Sequence, residues 1–164
     1  MRVTSFFIAA LMAATSAQAA NLQQAMLDGH NKERASLGLA PLTWNAQLAE
    51  GAAQWAKHLA DTGERGHSKP ADRGNAGENI WVGTTGEFGY YEMIYGWLAE
   101  KPNFVDGPFP AVTKAGDWHA TGHYSQMVWR NTTEIGCGLA TGGDWDILVC
   151  RYNPAGNRIG EKPY

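Results

Sequence analysis

Two cysteines constrain this chain more than any other feature of its sequence. Cys137 and Cys150 lie in Ile135-Gly136-Cys137-Gly138-Leu139 and Asp146-Ile147-Leu148-Val149-Cys150-Arg151-Tyr152, on either side of Gly142-Gly143-Asp144. Two such runs around a Gly-rich turn read as a β-hairpin. A turn centred on Gly143-Asp144 sets residue 137 directly opposite residue 150, so the two sulfurs face each other across the ladder. A disulfide there closes a short loop and contributes about 3 kcal/mol. A catalytic or metal-binding thiol pair is the alternative reading. The staple is favoured because an even cysteine count pairs by default in an exported chain, and the N-terminus reads as an export signal.

That signal has three parts. Met1-Arg2 is a short basic start, Phe6 to Ala14 is unbroken apolar sequence, and Ala17-Gln18-Ala19 places small residues where a signal peptidase reads. The apolar run is far short of the roughly 20 residues that span a bilayer. Residues 1–19 are therefore expected to be a signal peptide and 20–164 a single domain, exported to the periplasm or the medium, with no integral membrane segment. Thirteen Lys and Arg against sixteen Asp and Glu give a net charge of −3. A chain of that balance has no basic face to neutralise phosphates, which argues against nucleic acid as a partner. Seven Trp and 44% hydrophobic residues supply a core and exclude intrinsic disorder.

Helical spacing appears three times. Leu22 to Leu37 carries Leu22, Met26, Leu27, His30 and Arg34 behind Asn21 as a cap. Ala46 to Thr62 carries Leu48, Ala52, Trp55, Ala56 and Leu59 between Asn45 and Gly63, the clearest helix in the chain. Glu87 to Glu100 carries Phe88, Tyr91, Ile94, Tyr95 and Leu98 and is stopped by Pro102. Pro102 to Gly122 is irregular, and a loop of that length is usually functional or mobile. His123 to Arg130 then reads as a strand leading into the hairpin. Helices first and antiparallel strands last make an α+β order.

Nucleophile motifs are weak. Gly122-His123-Tyr124-Ser125-Gln126 lacks the Gly-x-Ser-x-Gly elbow. On a strand His123 and Ser125 would share a face, but a Ser aimed at a helix layer is more often a satisfied hydroxyl. His30 and Arg34, four residues apart, suggest a structural hydrogen-bonding face. His58 flanks the second helix, and His119 lies in the long loop with no neighbour that assigns it a role.

Four segments together carry a family resemblance. Gly122-His123-Tyr124-Ser125-Gln126-Met127-Val128-Trp129-Arg130-Asn131-Thr132 and Ile147-Leu148-Val149-Cys150-Arg151-Tyr152-Asn153-Pro154-Ala155-Gly156-Asn157 are similar to the two signatures of the CAP superfamily: cysteine-rich secretory proteins, antigen 5 and pathogenesis-related 1 proteins. His30-Asn31-Lys32-Glu33-Arg34 and Gly77-Glu78-Asn79-Ile80 resemble its two shorter motifs. They occur in family order. The resemblance implies an α-β-α sandwich, a small antiparallel sheet between helical layers, with a cleft lined by His67, Glu78, Glu100 and His123. With cysteines for one bridge where many relatives have three, and no C-terminal cysteine-rich module, the chain resembles a minimal, single-domain version of bacterial type.

The chemistry of those four side chains allows several functions. Two imidazoles, His67 and His123, with one or two carboxylates suit Zn²⁺ or another divalent cation, and a polar small molecule could use the same groups. A bound water activated by a cation, or by Glu78 or Glu100 as a general base with a raised pKa, would make a hydrolase acting on peptides or cell-envelope polymer. A polar network that only stiffens the cleft wall is the bland alternative. The resemblance also implies a sterol or other lipid ligand at a separate apolar site.

Overall fold

The computed structural model describes residues 4–164, with side chains described for 18, 19 and 21–164. The start of the expected signal peptide and the side chains of its apolar run therefore lie outside the described residues. In chain order the elements are α1 (Thr4–Ser36), β1 (Thr43–Trp44), α2 (Ala46–Thr62), β2 (Gly77–Thr84), α3 (Tyr90–Leu98), α4 (Gly122–Met127), β3 (Glu134–Gly142) and β4 (Trp145–Asn153). One-turn 3-10 segments occur at Pro70–Arg73, Lys101–Asn103 and Trp118–Ala120. No helix among the described residues is long and apolar enough to cross a membrane.

The hairpin forms in the expected register. β3 and β4 pair antiparallel with Cys137 opposite Cys150, and the two are bonded. β2 pairs antiparallel with the other edge of β4, and β1 adds two residues parallel to β3, giving the order β1-β3-β4-β2. The sheet is thus mixed rather than wholly antiparallel, by one short edge strand.

Helices cover both faces of the sheet. α2 starts where expected because Asn45 Oδ1 accepts from the N–H groups of Gln47 and Leu48 at 2.9 and 3.1 Å. It ends at Gly63, whose φ of +72° is a left-handed C-cap. Ala52, Ala56 and Leu59 bury against Ile147 and Val149. The helix lies close on β3 because Gly136, Gly138 and Gly142 face it; a Cβ on Gly138 would come within 2.3 Å of Ala53 Cα. On the opposite face Met26, Met93, Trp97, Tyr124 and Met127 pack over Ile135, Leu148 and the disulfide.

Three local expectations are corrected. α1 does not begin at an Asn21 cap: it runs unbroken through Asn21, which is solvent-exposed, because the Ala-rich sequence before that residue favours helix as strongly as the segment after it. α3 begins at Tyr90, after Gly89, and its buried side is Met93, Ile94 and Trp97. Tyr91 and Tyr95 of the expected stripe are 60% and 68% exposed. Residues 122–127 are a helix, not the start of a strand. Tyr124, Met127 and Val128 bury at helical spacing, and the Glu100 carboxylate accepts from the Tyr124 N–H at the helix start. A six-residue window supports either periodicity, and tertiary packing selects the helix.

The long segment from Pro102 to Gly122 is anchored. Phe109 and Val112 bury against Trp129, Val105 N–H donates to Val112 O, and Phe109 exchanges backbone hydrogen bonds with Gly160 and Glu161 of the C-terminal tail. Phe109, Trp118 and His119 of this segment form one wall of a cleft.

Candidate functional site

Four structural decisions bring the expected site residues together. His67 follows the α2 C-cap and precedes the 3-10 turn at Pro70. Glu78 is the second residue of β2. Glu100 stands just beyond α3, and His123 is the second residue of α4. His67, Glu78 and His123 line a single cleft of about 630 Å³, with Arg73, Trp118 and His119 among its other walls. Glu100 is not among the lining residues; it stands behind His123.

The four groups form two His–carboxylate pairs. His67 Nδ1 donates to Glu78 Oε1 at 3.1 Å, and His123 Nδ1 donates to Glu100 Oε1 at 2.6 Å. A carboxylate on Nδ1 fixes the proton there and leaves the Nε2 lone pair free. Neither Nε2 has a hydrogen-bond partner among the described residues. The His123 ring also stacks on Trp97, centroids 6.1 Å apart and planes at 18°.

Glu78 is wholly enclosed and heavily solicited. Its carboxylate accepts from Ser68 N–H at 2.9 Å, Ser68 Oγ at 2.7 Å and Arg151 Nε at 3.2 Å, besides His67, with Arg73 at 3.8 Å. Burial pushes its pKa up, but donation from His67 and Ser68 and the charge of Arg73 outweigh that and hold it below the ordinary glutamate value. The raised pKa that a general base would need is therefore not met at Glu78. Ser125 is also excluded as a nucleophile: on the helix it is buried and spends its hydroxyl on Asn157 Oδ1 at 2.6 Å.

The donor chemistry fits a cation through two imidazole nitrogens and not through a four-residue cage. Both carboxylates are engaged as orienting partners. Among the described residues no group of three or more His, Cys, Asp or Glu side chains is arranged to hold a metal ion.

A buried chain of hydrogen bonds supports His123 from behind. Asn79 Nδ2 donates to His123 O at 3.1 Å and to Tyr152 Oη at 3.2 Å, and Tyr152 Oη meets His30 Nε2 at 2.9 Å. His30 Nδ1 donates to Met26 O at 2.7 Å. His30 is a structural histidine, as the sequence suggested, and Arg34 is likewise structural. Arg34 is buried and donates to the carbonyls of Ala40, Met127, Trp129 and Thr132.

The profile of the cysteine-rich secretory protein family, CAP, matches residues 27–152. The chain belongs to the CAP family. It is 35% identical over 150 residues to pathogenesis-related leaf protein 4 of Solanum lycopersicum, covering 91% of this chain and 87% of that protein. It is 33% identical over 169 residues to pathogenesis-related protein 1C of Nicotiana tabacum, covering 99% and 96%. Among solved structures, a crystal structure of NaASP2 with Zn²⁺ superposes with a TM-score of 0.75 at 24% identity, covering 88% of this chain and 85% of that one. That likeness establishes the CAP α-β-α architecture. The two pathogenesis-related relatives are plant proteins and lend no support to the bacterial type expected from the single bridge.

Sequence reasoning missed several residues that build the CAP cleft. Arg151 lies in a family signature that assigns it no role; reading Ile80-Trp81-Val82 as a strand would have placed it across from Glu78. Arg73, Ser68 and Asn157 carried no comparable signal, because each sits in a turn or tail whose path depends on tertiary contacts.

Proposed function

We propose that this is a secreted CAP-domain protein, with residues 1–19 as its signal peptide, whose cleft binds a divalent cation such as Zn²⁺ through Nε2 of His67 and Nε2 of His123. One observation carries the reading: both imidazoles open into the same cleft, and each has its other nitrogen held by a carboxylate. Oriented, neutral imidazoles are the usual protein donors for zinc. Glu78 and Glu100 act as positioning residues, and Arg151, Arg73 and Ser68 keep Glu78 ionised. A bound cation would supply Lewis acidity and an anchor for a polar or anionic small molecule. The crystal structure of NaASP2 with Zn²⁺ makes zinc the first cation to try.

The hydrolase alternative has less behind it, since Glu78 is held ionised by its donors and Ser125 is buried.

Crystals of the exported protein soaked in Zn²⁺ and measured on both sides of the zinc absorption edge test the cation reading. An anomalous peak within bonding distance of both Nε2 atoms is expected. Zinc seen only at surface carboxylates would refute the assignment.

A further inference from the structure

β2 is an edge strand, and its outer backbone is open. Thr85 N–H donates to Asp144 O at 3.0 Å, which extends the β2–β4 ladder by one pair. Hydrogen-bonded pairs alternate along an antiparallel ladder, so Gly77, Asn79, Trp81 and Gly83 spend their backbone groups on β4. The disulfide gives the same phase independently. Cys137 and Cys150 have Cα atoms 4.1 Å apart, the narrow spacing of a non-hydrogen-bonded pair, so the Cys150 backbone turns to Asn79. The N–H and C=O groups of Glu78, Ile80 and Val82 therefore point away from the sheet. None of them has a backbone partner among the described residues.

Proteins usually guard such an edge with a lysine, a proline or a bulge. β2 pairs with β4 without a bulge from Gly77 to Thr84, and its one charge, Glu78, is turned in against Arg151. Ile80, Trp81 and Val82 are half-buried rather than covered. The edge also runs into the cleft. Side chains alternate across a strand: Glu78 holds His67 on one face, and Asn79 holds the His123 carbonyl on the other. The two imidazoles thus flank the start of the edge, and Gly77, Glu78 and Asn79 line the cleft with them.

We propose that the cleft and the β2 edge together bind an extended peptide, which adds to the four-stranded sheet as a fifth strand. A row of free N–H and C=O groups recognises another backbone. Glu78 to Val82 spans about 14 Å, the length of about five peptide residues. Trp81, edge-on to Phe88 at 5.2 Å, offers apolar side chains a surface on one face, and Ile80 and Val82 offer one on the other. Charge sets the direction. Arg73 stands at the Glu78 end, whereas Glu87 and Asp144 are exposed beside Thr84 and Thr85. A peptide antiparallel to β2, with a basic residue at its N-terminus, complements that polarity. The assignment shares the cleft of the cation reading but uses backbone groups, and it needs no cation.

The test is fluorescence anisotropy with the exported protein in EDTA, which removes any cation. The probe is fluorescein-labelled Lys-Val-Thr-Val-Thr-Val. Two comparators carry N-methyl groups, one on its Val amides and one on its Thr amides. Successive amides of a strand point to opposite edges, so only one set meets β2. Saturable binding of the probe is expected, with one N-methylated peptide weaker by about tenfold or more, the loss of one or two hydrogen bonds, and the other close to the probe. Val82→Pro removes an outward N–H and leaves the β4 ladder intact, a change that edge strands tolerate. It should weaken the probe to a similar degree, and the N-methylated pair reads the same contact in wild type if that variant misfolds. Absence of saturable binding at about 1 mM, or equal binding of the two N-methylated peptides, overturns peptide addition and leaves the Zn²⁺ titration untouched. Sedimentation in the same buffer covers the other occupant: a wild-type dimer that Val82→Pro dissociates would give the edge to a second copy of the chain and refute the proposal.

Discussion

Glu78 and Arg151 are register partners on β2 and β4, and their side chains meet in a buried ion pair at 3.2 Å. The pair joins the cleft to the sheet. Arg151 also donates to Ser68 Oγ at 3.2 Å, so one guanidinium steadies both the carboxylate and the turn that delivers His67.

Replacing Arg151 with Met leaves a carboxylate enclosed with less compensation. Breaking a buried pair from one side costs about 3–5 kcal/mol. Arg73 at 3.8 Å offsets a part of that, so a loss of about 3 kcal/mol is expected. Denaturant unfolding measures it. A change below about 1 kcal/mol would mean the pair is not a structural hub.

Stability should decline with acid above the range where carboxylates titrate. Burial first, with Arg34 adding to it, lowers the His30 pKa from 6.5 to about 4, against the stabilising hydrogen bond to Met26 O. The folded state keeps His30 neutral while the unfolded chain protonates it, so this contribution is complete above pH 6.5 and is lost as pH falls toward 4. The loss amounts to about 3 kcal/mol. Glu78, with its lowered pKa, adds a further loss only at more acid pH. Unfolding free energies measured from about pH 7 down to about pH 4.5 should slope downward in wild type and lie flatter in His30→Gln.

The disulfide closes the β3–β4 hairpin and nothing larger. Changing Cys137 and Cys150 together to Ala should lower stability by about 3 kcal/mol, read from melts with wild type under oxidising conditions as reference. Zn²⁺ binding should survive, since neither cysteine lines the cleft. Loss of zinc affinity in a folded double variant would revive a metal-binding role for the two thiols.

The features legible in the sequence and those that were not divide along physical lines. Asn45, Gly63 and the Ala52-Ala56-Leu59 stripe make α2 legible because caps and periodicity agree with the tertiary fold. The Cys137–Cys150 register was equally legible, since a turn residue pair determines which residues oppose. His123 lines the cleft, but from a helix and not from the strand its sequence suggested. Its short segment has no period of its own, and the helix is secured by Glu100 and by packing of Tyr124 and Met127, partners distant in sequence. The two-layer role of the glutamates was likewise invisible: sequence names ligand types, but only coordinates show that Glu78 and Glu100 turn toward Nδ1 of their histidines.

Removing an orienting carboxylate should weaken the cation site without dismantling it. Glu100→Gln keeps an acceptor for Tyr124 N–H but loses the charge on His123 Nδ1. Zn²⁺ affinity should drop by about 10–100-fold, the range for orienting partners of metal-bound histidine. An unchanged affinity in calorimetry would show that Glu100 serves only the start of α4.

The most direct test is calorimetric titration of the exported protein with Zn²⁺ at about pH 7.5, where free imidazoles are neutral, run beside His67→Ala, His123→Ala and the double variant. One zinc per chain is expected for wild type, strongly weakened binding for each single variant, and none in the cleft for the double. Equal affinity in wild type and the double variant would contradict the account, because the two imidazoles would then share a cleft without sharing a ligand.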